Sequence, residues 1–190
     1  MQTFYNLFRE RGIFMKKALK FSGLAALVFA LVAFILLMAS HSVVYADNTA
    51  NWYSGISAVF GNGTAQVDIM GWSKSGAVDA KLAWPALIGW ILVLVAMIIL
   101  LAGVVLPLLK VKALDKFAGV LNLVAVASLV TAGILIFFTE PAFGAANEWS
   151  EDAIKAWTLG GGYIAAGILA IVGGALAILP AAVDFIGKKK

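Results

Sequence analysis

The chain has no cysteine, a single histidine, four prolines and only 13% charged residues over 190 positions. Without cysteine there are no disulfides, no thiol nucleophile and no thiolate metal site. The lone His41 has no carboxylate pair beside it in the sequence, so it supplies no metal, catalytic or pH-sensing motif and reads as interfacial polarity. No phosphate-binding glycine loop, Ser/His/Asp arrangement or zinc spacing occurs. Gly160-Gly161-Gly162 lacks the Lys and Ser/Thr that a nucleotide loop requires. Glu148, Glu151 and Asp152 share a helical face, and hard cations favour oxygen ligands, but no loop glycine or compact ligand series accompanies them. The basic residues flank apolar runs instead of forming one patch, which argues against nucleic acid as a partner. No enzyme, cofactor or metal site is expected.

What the chain has is apolar length. Hydrophobic residues make up 63% and the mean hydropathy is +0.98, against about 25% charged residues in ordinary soluble domains. Four runs carry no charge: Phe21–Ala46 (26 residues), Leu82–Leu109 (28), Phe117–Thr139 (23) and Ala156–Val183 (28). Each exceeds the roughly 20 residues that cross the hydrocarbon core of a bilayer. Asp184 lies just beyond the last run, one turn from Lys188, as a solvated or Lys-paired carboxylate. The expectation is an all-α membrane protein, a four-transmembrane-helix antiparallel bundle under a small extracellular cap containing a β-hairpin. As one integral membrane domain, 1–190, it divides into a basic segment (1–20), spans at 21–45, 84–107, 117–139 and 157–183, outer loops at 46–83 and 140–156, an inner loop at 108–116 and a tail at 184–190.

Orientation follows from charge. Of the 14 Lys and Arg residues, the great majority lie at Arg9–Lys20, Lys110–Lys116 and Lys188–Lys190, whereas most acids lie in 47–81 and 140–155. Short loops rich in Lys and Arg stay cytoplasmic, so both termini are expected inside a cell membrane. The opening twenty residues, mixing aromatics with basic side chains, suit either a helix lying on an anionic leaflet or a solvated flank. Met15-Lys16-Lys17 before an apolar run also resembles a secretory signal, with Val44 and Ala46 preceding a cleavage site. The run is longer than such signals, which favours a retained anchor.

In the first outer loop, Ile56–Phe60, Gly61-Asn62-Gly63 and Thr64–Met70 read as a hairpin with a tight turn. Trp52, Tyr53, Phe60 and Trp72, with Trp149 of the second outer loop, form a candidate partner-binding cap. Pro107 is placed to kink or end the second span. In the third span Asn122, Ser128, Thr131 and Thr139 read as interhelical hydrogen-bonding groups. The second outer loop is expected to turn helical from Asn147 or Ser150, continuous with the last span.

That last span has the most specific order. Projected at 100° per residue, Gly160, Gly162, Ala166, Gly167, Ala170, Gly173, Gly174 and Ala177 fall on one half, and Ile164, Ile168, Val172 and Leu176 on the other. Each helical glycine costs about 1 kcal/mol relative to alanine, but in lipid a small-residue face lets a second backbone approach closely. The face is a packing surface, either within the chain or toward a homo-oligomer or another membrane protein.

Tyr53-Ser54-Gly55-Ile56-Ser57-Ala58-Val59-Phe60-Gly61, with one span before it and three short-looped spans after it, resembles uncharacterised small four-span membrane proteins of low-GC Gram-positive bacteria. That resemblance implies a multi-pass envelope protein and supplies no activity. The loop layout also looks like the claudin-type tetraspan plan, without that family's paired cysteines or Trp-Gly-Leu-Trp pattern, so no claudin residue role is carried over. The expected function is a membrane scaffold, assembly subunit or partner-binding protein, with the bilayer as one partner. The alternative is a small channel or transporter formed on oligomerisation, its pore lined by Ser128, Thr131 and the glycine face.

Leucine at Ala166, Ala170 or Gly174 is expected to lower the melting temperature in detergent substantially. Alanine at Ile168 or Leu176 should be milder. Equal damage from both sets would show that the helix is enclosed on every side.

Overall fold

In a computed structural model the backbone is described for residues 2–108 and 118–186, and side chains for 21–105 and 118–182. The inner-loop lysines 110–116, the side chains of Pro107 and Asp184 and the tail lysines lie outside the described residues, as do the side chains of the basic opening segment. The chain is mostly helical. Helices α1 (Gln2–Ala39), α3 (Trp84–Leu108), α4 (Ala118–Phe137) and α7 (Gly161–Ile186) contain four stretches long and apolar enough to cross a membrane. Shorter helices α2 (Gly55–Phe60), α5 (Thr139–Ala146) and α6 (Glu151–Ala156) lie between them. Five strands complete the fold: β1 (His41–Tyr45), β2 (Trp52–Ser54), β3 (Asn62–Ile69), β4 (Trp72–Asp79) and β5 (Trp157–Leu159).

Among the four long helices, α7 contacts α4 and α1, and α3 contacts α4 and α1. Their interior is built from small side chains. Ala26, Ala30 and Ala33 of α1, Ala86 and Ala96 of α3, Ala125 and Ala132 of α4 and Ala166, Ala170 and Ala177 of α7 are buried. The large aliphatics Val28, Leu31, Ile35, Ile98, Ile134, Ile164 and Ile168 point outward. Glycines mark the closest approaches. A Cβ at Gly133 would stand 2.7 Å from the Gly167 carbonyl oxygen, and one at Gly174 would meet Val130 at 2.8 Å and the Val126 carbonyl at 3.3 Å. Pro180 lies inside α7, where its ring removes one backbone donor, and its Cγ lies 3.9 Å from the Cβ position of Gly23 on α1.

The strands form one sheet in the order β4-β3-β2-β1-β5, with every neighbouring pair antiparallel. The hairpin differs from the expected one. Ile56–Phe60 is the helix α2, because Ser54 caps it, accepting a hydrogen bond from Ser57 N, and an N-cap serine of this kind starts a helix. The hairpin is instead β3–β4, closed by Met70 and Gly71, both at positive φ (54° and 84°). Positive φ at both central residues is the two-residue turn that matches strand twist, and methionine carries no sequence signal for it. Gly61-Asn62-Gly63 is no turn between strands: Gly61 ends α2 (φ 84°) and Asn62 begins β3.

The long helices are also shorter at this end than the apolar runs. Residues 41–45 leave α1 as β1, and 157–159 form β5 before α7 begins at Gly161. Ser150 does start a helix, accepting from Ala153 N, but α6 ends before β5 and is not continuous with α7.

Strand β1 lies between β2 and β5, pairing Val43 with Tyr53 on one side and Leu159 on the other. Val43 is fully buried. Cleavage after Ala46 would remove α1 and this strand together. Intact-mass measurement of the membrane-extracted protein is therefore expected to find residues before Asp47 still attached, and a chain begun at Asp47 should lose protease resistance throughout the sheet.

Candidate partner-binding surface of the sheet

The loop before α3 and the loop after α4 are joined by aromatic rings. Tyr53 lies 5.2 Å from Phe143, 5.8 Å from Trp149 and 5.4 Å from Trp157, measured between ring centroids. Trp149 is 5.2 Å from Trp157, and Tyr45 adds an edge contact to Trp157 at 5.6 Å. Tilted and edge-to-face pairs at such distances add about 0.5–1.5 kcal/mol each beyond area burial. Phe143 is fully buried at the centre. A polar clamp runs beside the rings: Asn147 Oδ1 accepts from Lys81 N (2.8 Å), and its Nδ2 donates to the carbonyls of Lys81 (3.0 Å) and Phe143 (2.8 Å). Lys81 also forms an ion pair with Glu148, which holds the Glu148 carboxyl below the ordinary glutamate range by hydrogen bond first and charge second.

The five expected cap residues separate into different roles. Tyr53 and Trp149 belong to the inter-loop cluster. Trp52 stacks on His41 at 4.1 Å, and burial lowers the His41 pKa. Phe60 meets Trp90 edge-on at 5.3 Å, and Trp90 in turn meets Phe34 at 5.5 Å, which ties α2 to α3 and α1. Trp72 is left uncovered, 85% exposed.

Register explains why. Paired residues share a face and successive residues alternate, so Val43, Tyr45, Tyr53, Ala65, Val67, Ile69, Trp72, Lys74, Gly76, Val78 and Trp157 point to one side of the sheet. Thr64, Gln66, Asp68, Ser73 and Ser75 point to the other. The apolar side is covered by Phe143 and Trp149 over β1, β2 and β5. Over β3 and β4 it is open: Val67 is 52% exposed, Ile69 66% and Met70 98%. A hollow of about 290 Å³ lies there, lined by Val67, Ile69, Trp72, Lys74 and Val78, and a second of about 230 Å³ adjoins it beside Tyr45, Tyr53 and Trp157. The Ile69–Trp72 turn lies three residues beyond the level of Val44, Trp52 and Gln66, about 10 Å further along the strands and away from the helix ends.

The expected helix-packing residues fall at named contacts. Ala166, Gly167, Ala170, Gly173, Gly174 and Ala177 are buried, with Gly167 facing Phe137 and the Gly133 carbonyl of α4 and Gly173 facing the Ala26 carbonyl of α1 at 3.4 Å. Gly160 precedes the helix and lies against the His41 carbonyl; Gly162 lies against Ser40. The third-span polar groups do not form one row: Ser128 is buried, Thr131 is exposed, and Thr139 is buried at the start of α5. Asn122 lies near α3, its Oδ1 3.8 Å from the Cβ position of Gly103.

Sequence reading missed Tyr163, a fully buried side chain on the small face of α7 whose hydroxyl donates to the Gly55 carbonyl at 3.0 Å. Its signal is a single large amphipathic residue interrupting a run of small ones. It also missed Met70, whose exposure follows from the turn. Among the described residues no three His, Asp or Glu side chains cluster as metal ligands. Compared with protein-family models and with curated proteins, the chain matches none.

Asn147→Ala is expected to lower thermal stability clearly, since it strips the two hydrogen bonds to Lys81 that join the loops and a third to the Phe143 carbonyl. Glu148→Gln should cost much less, because the ion pair is exposed and such pairs contribute little. Because the folded Glu148 pKa is lowered, its small contribution is present at neutral pH and is lost as pH falls through that lowered value. Melting curves of both variants against pH and salt check this.

Proposed function

We propose that this chain is a multi-pass membrane scaffold or assembly subunit without catalytic activity, which holds the sheet outside the cell membrane for a protein partner. Four antiparallel spans, both termini in the cytoplasm and a bacterial plasma membrane complete the reading. Support for the membrane comes from the distribution of side-chain size. Large aliphatics cover the outside of the long helices while alanine and glycine fill the inside, as expected where lipid solvates the exterior and close backbone approach drives association. Support for the orientation comes from the charge asymmetry of the loops.

The observation that carries the partner reading is the uncovered apolar end of β3–β4. Ile69, Met70 and Trp72 are exposed together at the end of the sheet farthest from the helices, held on a tight turn. Contiguous exposed apolar surface of this kind marks interaction sites, and tryptophan is among the residues that dominate interface energy. The same residues at a membrane interface would be expected beside the helix ends, where Trp84 lies, and not beyond them.

The absence of cysteine makes the test direct. Met70→Cys is expected to react with a membrane-impermeant maleimide in intact cells, whereas Lys112→Cys should react only after lysis. A photoreactive group placed at Met70 or Trp72 should give a discrete protein adduct in cells, and the same group at the outward-facing Ile168 should give lipid adducts. Labelling of Lys112→Cys in intact cells would reverse the orientation. Failure of Met70 and Trp72 to give any protein adduct would remove the partner reading.

A further inference from the structure

The free side of β4 has the features of a strand-accepting edge. Strand β4 is outermost in the sheet, eight residues long, and bonded to β3 alone. In an antiparallel ladder every second residue turns its N–H and C=O away from its partner. Because Ile69 and Trp72 close a two-residue hairpin, the outward-turned residues of β4 are Ser73, Ser75, Ala77 and Asp79. All four are exposed and the side chains of Ser73, Ser75 and Ala77 are small, so no bulk guards the backbone groups of the first three. The chain already uses strand addition at the opposite edge, where β5 pairs antiparallel with β1 and lays Trp157 on the apolar side.

The chemistry of the occupant follows from what lies next to that edge. A strand added to β4 would place alternate side chains over the hollow formed by Val67, Ile69, Trp72 and Val78, so they should be apolar. Lys74 stands in the middle of the same row, exposed. At this end of the molecule Lys81 pairs with Glu148 and Lys155 with Asp152, while among the described residues no carboxylate lies within ion-pair distance of Lys74. It is a cation left over on an otherwise acidic surface, in line with apolar side chains, and it calls for an anionic side chain at the matching position.

We propose that β4 receives an extended peptide segment of a partner protein by antiparallel strand addition, with apolar side chains on alternate residues and one carboxylate opposite Lys74. This rests on the partner-binding reading above and specifies its chemistry. Main-chain hydrogen bonds would supply most of the affinity, and the hollow and Lys74 the selectivity, as in other complexes formed by edge-strand addition.

The test uses the full chain in lipid nanodiscs with the synthetic peptide Thr-Val-Thr-Glu-Thr-Val-Thr as probe. Hydrogen exchange over β4 is expected to slow when the peptide is added. Ser75→Pro should abolish the effect, since proline on an edge removes only a donor facing solvent; Ala77→Pro makes the same test should the first variant lose the exchange protection of β1 and α2. Lys74→Glu should weaken binding roughly tenfold, and a peptide with lysine in place of its glutamate should restore binding to that variant. Unchanged exchange in the wild-type chain, or equal binding to the proline variants, would overturn strand addition. Protection of Trp72 and Lys74 by phosphatidylglycerol vesicles, with none by the peptide, would overturn it in favour of a lipid surface. Protein adducts at Met70 in cells combined with absent β4 protection would leave the partner reading standing and remove only this one.

Discussion

The hydrogen bond from Tyr163 to the Gly55 carbonyl joins residues 108 positions apart, and the meeting of helices and sheet depends on the backbone approach at that point. Gly55 N donates to Ser40 O at 2.7 Å, and a Cβ there would collide with the Leu37 carbonyl and stand 3.1 Å from the Tyr163 ring. One glycine thus lets α2 rest on the end of α1 while a buried tyrosine from α7 fills the space beside it. From that seat α2 directs the chain onward. Ala83 N donates to Ala58 O and Ala80 N to Gly61 O, which sets where β4 ends and α3 begins. Ser54 and Ser57 complete the junction: the Ser54 hydroxyl accepts from Ser57 N and Thr64 N, and the Ser57 hydroxyl donates to Thr64 O. No bulk fits opposite them, because a Cβ at Gly63 would strike both hydroxyls.

Size, and not polarity, separates inside from outside in the long helices. In the proposed membrane, where both the interior and the surroundings are apolar, transfer from water cannot select a face. What selects it is how closely two backbones can pass. Gly133 against Gly167, and Gly174 against Val126 and Val130, are such passages between α4 and α7. The glycine face of α7 is therefore occupied within the chain. The partner surface proposed above lies elsewhere, on the uncovered apolar face of β3 and β4.

The aromatic residues of the two loops divide by the same logic of coverage. Those reached by both loops, Tyr53, Phe143, Trp149 and Trp157, form a cluster that holds the loops to each other. Trp72 lies on β4, separated by three strands from β5 of the second loop, and is left bare. All are equally aromatic in the sequence. Only the strand order β4-β3-β2-β1-β5 assigns one group to the interior and the other to the surface.

By itself the sequence determined the four long apolar helices and the small-residue face of α7, because length and periodicity are local properties and glycine inside a helix needs a reason. A helical start at Asn147 or Ser150 was also read, and Ser150 caps α6, but as a separate helix and not as the beginning of the last span. The candidate surface was legible only as a set of aromatic residues. Which of them lie open and the burial of Tyr163 were decided by tertiary structure, through contacts remote in sequence: Tyr163 with Gly55 and Val43 with Leu159. The helical state of Ile56–Phe60 and the turn at Met70-Gly71 rest on local backbone geometry, the Ser54 cap on Ser57 N and the pairing of Ile69 with Trp72, which the residue types alone did not announce. A five-stranded sheet drawn from two separate loops is a set of non-local pairings. No window along the chain contains both partners of β1 and β5, so no local property of the sequence specifies their pairing.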